Sequence, residues 1–256
     1  MAAERPARLD LSRPRAYAEL LRTTIEVFGR HADVLLTVAL IVVAPPTLII
    51  DGIWSRALAD GIDAKPPLAA QGVSAGLSVF VILPLVAAAT AHVVQRLGAG
   101  DAPPRAGGAL RAAAAAYPRV LGAVVLYLIS VFAGLVLLVL PGVYLAIRGY
   151  FVAQAATLDG AGPVQALRAS SDAVRGAWWR TLACLLATAL IFGFIGSIAI
   201  SLGGASGSGA VYVAALAVVE AIALSLTSIF ATLLLYDLRA RQGERPVADP
   251  PETMVG

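Results

Sequence analysis

The chain has 256 residues, of which 59% are apolar and 14% are charged, with a net charge of +3 and a mean hydropathy of +0.83. Soluble domains are about 45–50% apolar and about 25% charged, so the composition excludes an ordinary soluble protein and favours a polytopic membrane protein. The basic residues lie in short segments that flank apolar runs, and this placement argues against a nucleic-acid partner.

Six apolar runs are long enough to be membrane spans, because a helix needs about 20 such residues to cross a bilayer. The predicted spans are residues 34–50, 71–91, 120–140, 141–158, 181–202 and 210–236. Pro141-Gly142 is interpreted as the turn between spans three and four, with a single long helix over 120–147 as the alternative. Pro45-Pro46 and Pro84 are expected to kink spans one and two.

The positive charges predict how the spans are oriented. Sixteen of the 19 Lys and Arg residues lie before span one, between spans two and three, between four and five, or after span six. The opposite face has Arg56 and Lys65. The positive-inside rule therefore predicts a multi-pass protein of the cytoplasmic (inner) membrane with both termini cytoplasmic.

The segment that precedes each odd-numbered span follows a similar pattern. Residues 14–30, 104–119 and 163–180 each contain a Pro, a Leu-Arg pair, an aromatic residue and a further Arg. This similarity predicts three repeats of an interfacial helix followed by a helical hairpin; chance similarity in an Ala- and Arg-rich chain is the alternative. Such amphipathic helices can contact anionic lipid at the cytoplasmic face, or they can only connect and anchor the spans.

The predicted fold is therefore all-α, with six transmembrane helices, three interfacial amphipathic helices and a threefold internal repeat. The predicted boundaries are an N-terminal cytoplasmic segment over 1–13, a membrane domain over 14–241 and a disordered, Pro-rich cytoplasmic tail over 242–256.

Several short stretches together resemble one family. Residues 141–148 read PGVYLAIR, 166–170 read ALRAS, 174–176 read VRG, 178–180 read WWR and 235–241 read LYDLRAR. Their order and spacing resemble the membrane domain of bacterial glycerophosphoryl diester phosphodiesterases, which stand-alone multi-span proteins also resemble. The positions assigned to the family's motif are Pro141, Gly142, Asp159, Ala166, Leu167, Arg168, Ser170, Arg175, Gly176, Tyr236, Asp237 and Arg239.

The chain departs from the family's pattern in places. Asp159 replaces a common Glu, Ser171 an aromatic residue and Leu235 the first Tyr of a terminal pair. In the enzyme a separate soluble barrel carries His and carboxylate residues on a metal. This chain has only His31 and His92 and no room for a barrel of about 250 residues. The resemblance therefore implies the membrane module without the enzyme, and no cofactor or metal.

Two charged residues lie inside the predicted spans, where an ionisable side chain is a functional hypothesis by default. Arg148 lies about 10 Å and Glu220 about 15 Å from the outer ends of spans four and six, so the two could pair if the helices touch. The alternative is that Arg148 reaches the outer headgroups and Glu220 is protonated or faces a polar gap.

These observations favour a non-enzymatic integral membrane protein that acts as a scaffold or partner in envelope lipid metabolism, on analogy with the family alone. The alternative is a transporter or channel for a lipid or small solute, with a polar cavity that contains Arg148 and Glu220. The sequence indicates no particular protein partner.

Overall fold

The computed structural model of the protein describes residues 9–59, 68–204 and 209–243. Within these ranges the chain is all-helical, as predicted, and has no strand. Residues 1–8 of the predicted N-terminal segment and residues 244–256 of the predicted tail lie outside them. The helices are α1 Tyr17–Arg30, α2 Ala32–Ala59, α3 Leu68–Leu77, α4 Leu83–Ala99, α5 Ala106–Leu137, α6 Val139–Arg148, α7 Val152–Leu158, α8 Pro163–Val174, α9 Trp178–Gly204 and α10 Gly209–Arg241.

Six helical stretches are long and apolar enough to cross a membrane, and this confirms the number of spans predicted from hydropathy. They are Ala32–Ile50, Gln71–Ala99, Ala106–Leu137, Val139–Leu158, Trp178–Ile198 and Ala210–Arg241. The predicted orientation of the spans and the identity of the membrane stay predictions.

The break between spans three and four lies at Leu138, and the turn predicted at Pro141-Gly142 is wrong. Leu138 is extended, with φ −167° and ψ 150°, and it separates α5 from α6. Pro141 lies in the first turn of α6, where a backbone N–H would have no helical partner in any case. Pro-Gly after an apolar run therefore marks the start of a helix here.

The second predicted interfacial helix is not a separate element, because α5 runs without a break from Ala106 to Leu137. A buried stripe of small residues, Ala109, Ala113, Ala116, Val120 and Ala123, continues along the whole first half of α5. Because α5 packs against α4 and this buried stripe continues on both sides of the boundary predicted near residue 120, α5 continues as one helix. By contrast, α1 and α8 are separate helices, and the threefold repeat stays a prediction.

A π-helical turn over Ser78–Ile82 joins α3 to α4 directly before Pro84. In a regular α-helix the carbonyl of Phe80 would accept from residue 84, but a proline has no N–H and its ring crowds that carbonyl. The wider turn accommodates the ring, and the hydroxyl of Tyr117 on α5 donates to the Phe80 carbonyl at 2.8 Å.

The α5–α6 hairpin is closely packed inside and apolar outside. A Cβ added to Gly134 would lie 2.9 Å from the Cα of Gly142, so the two helix backbones meet without side chains between them. Near the turn, Phe132, Leu137 and Leu140 are 69%, 77% and 82% exposed. Such a surface suits lipid tails, in keeping with a membrane-spanning hairpin.

Candidate functional site

Among the described residues, several polar side chains are bonded to one another around Asp237, in the last turns of α10. Its side chain is 0% exposed. One carboxylate oxygen accepts from the backbone N–H of Arg15 at 2.6 Å, and the other accepts from Arg180 Nη2 at 2.9 Å and from Arg241 Nε at 3.0 Å. We call Arg15, Arg180, Asp237 and Arg241 the Asp237 cluster.

The chain reaches this cluster through residues 9–16, a non-helical segment before α1. The backbone N–H of Leu9 donates to the carbonyl of Leu97 on α4 at 3.2 Å, and the buried Leu11 packs against Gly98. At the other end of the segment the carbonyl of Arg15 accepts from the guanidinium groups that also hold Asp237, at 2.9 and 2.8 Å. The segment thus joins the end of α4 to the ends of α9 and α10.

Of the charged side chains in this segment, Arg15 is buried, whereas Asp10 and Arg13 are more than half exposed. The Arg15 side chain is 4% exposed, and its guanidinium donates to the carbonyl of Asp10 and lies 3.9 Å from Glu19. Burial, with the charge of Arg13, lowers the pKa of Arg15 against the opposing effect of the acidic neighbours. Hydrogen bonds from Ser12 hold the pKa of Asp10 below its ordinary value.

A second ion pair joins α7 to α10. Arg239 donates through both terminal nitrogens to the two oxygens of Asp159, at 2.9 and 2.6 Å. The adjacent Tyr236 is 7% exposed. Two motif positions at the C-terminal end of α10, Asp237 and Arg239, therefore join α10 to other elements, and the motif position Tyr236, directly before Asp237, is buried.

The helix of span four is interrupted at Gly149–Phe151, between α6 and α7. Ser170 of α8 bridges this break: its hydroxyl donates to the carbonyl of Arg148 at 2.8 Å and accepts from the N–H of Phe151 at 3.1 Å. A Cβ added to Gly149 would lie 2.3 Å from a ring carbon of Tyr127, so the backbone passes close to α5. The sequence marked Ser170 as a motif position without indicating this role.

Arg148 itself has weak polar contacts. Its Nη1 lies 3.4 Å from the hydroxyl of Tyr144, and its Nη2 lies 3.4 Å from the carbonyl of Ser171. The guanidinium carbon lies 5.5 Å from the centre of the Tyr144 ring. Its Nε is buried and has no hydrogen-bond acceptor among the described residues.

The structure does not bring Arg148 and Glu220 together as an ion pair. The polar contacts of Arg148 lie on its own helix and on α8, whereas the half-buried Glu220 has the hydroxyl of Thr47 3.4 Å from its Oε2. Thr47 lies in α2 directly after Pro45-Pro46, through which α2 continues. The two residues predicted as one polar site therefore belong to two separate environments.

The other motif positions have mixed surroundings. Ala166 and Gly142 are buried, Leu167 is half-buried and Arg168 is exposed. Arg175 pairs with Asp172 at 2.6 Å, and both side chains are more than half exposed. Gly176 has φ +79°, a left-handed conformation that favours glycine in the turn after α8. All of these positions except Gly142, which belongs to α6, lie in α8 or in the turn that follows it.

Gln242 is the first residue of the predicted disordered tail, but it contacts the folded domain. Its Nε2 donates to the carbonyls of Asp172 and Ala173 at 2.9 and 3.0 Å, at the C-terminal end of α8. The last carbonyls of a helix lack their usual partners four residues on, and this side chain supplies donors for two of them. The carbonyl of Asp172 also accepts from the N–H of Arg175 at 2.9 Å. The helical domain therefore includes Gln242.

In the part of the chain that the structure describes, no three His, Cys, Asp or Glu side chains are grouped so that they could hold a metal ion. Comparison of the chain with protein-family models gives no match, and neither curated proteins nor solved structures give one.

Proposed function

We propose that the protein is a non-enzymatic membrane module that acts as a scaffold or partner in envelope glycerophospholipid metabolism. It lies in the cytoplasmic membrane with both termini in the cytoplasm and contacts anionic lipid on that side. The link to lipid metabolism comes from the motif resemblance described above.

The observation that supports a scaffolding role is that the motif carboxylates, Asp237 and Asp159, accept hydrogen bonds from groups of the protein itself. Asp237 accepts three hydrogen bonds and Asp159 accepts a two-point contact from Arg239. A general acid or base must reach a substrate proton, whereas these carboxylates are bonded to arginines that hold helix ends together. Their arrangement supports a module whose charged residues maintain its shape.

A second candidate is a transporter for a lipid or small solute, and the broken helix of span four favours it. Discontinuous helices form the substrate sites of many transporters, and Arg148 lies at the break between α6 and α7. In this candidate Arg148 and Glu220 line successive parts of one pathway without pairing.

Reconstitution separates these candidates. The purified protein is incorporated into vesicles of phosphatidylethanolamine and phosphatidylglycerol, and lipid scrambling, solute efflux and hydrolysis of a glycerophosphodiester are measured against empty vesicles. The scaffold proposal expects no increase in any of the three. Flux that is lost in Arg148→Gln and Glu220→Gln would instead establish transport, and hydrolysis would contradict a non-enzymatic role.

The link to lipid metabolism needs a test in cells. Deletion of the gene is expected to change the proportions of the glycerophospholipids, and both wild type and Glu220→Gln are expected to restore them. An unchanged lipid composition would contradict this part of the proposal. Impermeant labelling of a cysteine at Ser12 or Val247 in right-side-out and inverted vesicles tests the orientation.

A further inference from the structure

One face of α6 combines a cation, an aromatic ring and an exposed aliphatic side chain. Arg148, Tyr144 and Leu140 are spaced four residues apart, so they form one stripe along the helix. Leu140 is 82% exposed and Tyr144 is 47% exposed, while Arg148 is half-buried. The stripe therefore changes from charged to apolar over about 12 Å, at 1.5 Å per residue.

The cation of this stripe has no counter-ion within the described part of the chain. No Asp or Glu side chain of the described residues forms an ion pair with Arg148, and its Nε–H has no acceptor among them. Its two hydrogen bonds are both 3.4 Å long and both go to neutral oxygens. A charge inside an apolar span is costly unless an anion or a strong acceptor accompanies it, so this guanidinium is suited to an anion from outside the chain.

Two stacked aromatic rings lie beside the guanidinium of Arg148. It lies over the ring of Tyr144, which stacks on Trp178 with ring centres 6.0 Å apart. The indole N–H of Trp178 donates to the carbonyl of Tyr144 at 3.3 Å, and the neighbouring Trp179 is 77% exposed. Trp and Tyr favour the level of the lipid headgroups, so this group of rings is suited to the boundary between headgroup and acyl chain.

We propose that Arg148, positioned beside the rings of Tyr144 and Trp178, binds the phosphate group of an anionic phospholipid, with an acyl chain along Tyr144 and Leu140. A phosphodiester carries one negative charge and matches one unpaired guanidinium. Its oxygens accept the two-point contact that a planar guanidinium offers, at about 2.7–2.9 Å, in place of the long contacts to neutral oxygens. This assignment does not depend on the scaffold role, because a lipid can bind here whether or not the protein has partners.

Free phosphate esters share the headgroup chemistry, and the exposed aliphatic part of the stripe favours the lipid. A soluble ester would leave Leu140 without a ligand contact, whereas an acyl chain would cover it. Burial of apolar surface adds to lipid affinity by about 25 cal/mol per Å², and a free headgroup lacks this contribution.

The test measures lipid binding by native mass spectrometry of the full chain in detergent, titrated with phosphatidylglycerol or phosphatidylcholine. Wild type is expected to prefer phosphatidylglycerol. Arg148→Gln is expected to weaken phosphatidylglycerol binding by about tenfold, because it removes charge-assisted hydrogen bonds. The matched control is Arg22→Gln, which removes the same charge from a side chain that is 82% exposed on α1; it is expected to change the affinity by less than about twofold.

Two further measurements keep the result interpretable. If Arg148→Gln does not fold, Arg148→Lys keeps the charge but lacks the planar fork, and it is expected to bind phosphatidylglycerol several-fold more weakly. Glycerol 3-phosphate is added as a competitor at millimolar concentration and is expected to leave the lipid bound. Equal lipid affinities in wild type and the Arg148 variants, or displacement of the lipid by glycerol 3-phosphate, would overturn the proposal.

Discussion

Asp237 and Arg148 are charged groups held within the same helical bundle, and their surroundings differ in almost every respect. Asp237 is fully buried and accepts three hydrogen bonds at 2.6–3.0 Å. Arg148 has two contacts at 3.4 Å, both to neutral oxygens, and no carboxylate partner among the described residues. Its buried Nε has no acceptor there, which is also true of Arg180 in the Asp237 cluster, so the missing carboxylate is the difference between the two environments. The comparison teaches that burial of a charge alone does not identify its role: a charge with short bonds to an opposite charge indicates a structural contact, and a charge with only long bonds to neutral oxygens keeps hydrogen-bonding capacity for a ligand.

The largest effect is expected from breaking the Asp237 cluster. Asp237→Asn removes the charge that Arg180 and Arg241 share, and loss of one partner of a buried pair costs about 3–5 kcal/mol. The free energy of unfolding in mixed detergent is the measurement. Asp172→Asn is the control, since it removes the same charge from an exposed pair with Arg175 and is expected to cost less than about 1 kcal/mol. Equal losses in the two variants would contradict the structural role.

The next effect concerns the break beside Arg148. Ser170→Ala removes the hydroxyl that bonds both the carbonyl of Arg148 and the N–H of Phe151, so two buried backbone groups lose a partner. The expected loss is about 1–3 kcal/mol in the same unfolding measurement. Ser171→Ala is the matched control, because only the backbone carbonyl of Ser171 bonds Arg148 and the substitution keeps it. A loss in the control as large as in Ser170→Ala would refute this account of the break.

The Asp159–Arg239 pair is expected to contribute less than either of these, because its side chains are 25% and 16% exposed. A double-mutant cycle of Asp159→Asn and Arg239→Gln is expected to give a coupling energy of about 1 kcal/mol. The thermal unfolding midpoints of the four proteins provide the measurement. A coupling energy near zero would mean that this two-point contact adds nothing to the joint between α7 and α10.

The smallest effect is expected from Arg148→Gln in a lipid-free detergent. With no carboxylate of the described residues paired to it, removal of the guanidinium leaves no counter-charge behind, and the cost is expected to stay below about 1 kcal/mol. The unfolding free energy is compared with that of Asp237→Asn under identical conditions. A loss of several kcal/mol would show that Arg148 is a structural residue like Asp237.

The spans could be predicted from the sequence because bilayer thickness imposes a length that hydropathy reveals directly. The turn between spans three and four was misplaced because Pro141 is as suitable in the first turn of a helix as in a loop. The arginines of residues 104–119 favour a boundary between an interfacial helix and span three. In the structure Arg111 and Arg119 are exposed on one side of α5 while its other side packs on α4, so one helix accommodates them without a break.

The polar contacts were harder to predict. Arg15 and Asp237 are 222 positions apart, and no local pattern shows that a backbone N–H of one will bond the carboxylate of the other. The proposed Arg148–Glu220 pair was inferred from depth alone. Depth does not determine which helices are neighbours or which way their side chains point. In the structure Arg148 contacts Tyr144 and Ser171, whereas Glu220 contacts Thr47.

The contact between Arg15 and α10 also constrains the order of assembly. Chains are made from the N-terminus, and the residues that receive the N-terminal segment, Asp237 and Arg241, belong to the last helix. The segment therefore waits without these partners while the intervening spans are synthesised and inserted. The segment can form these contacts only after α10 has been synthesised and inserted. A chain that ended before α10 would therefore leave this segment exposed to proteolysis.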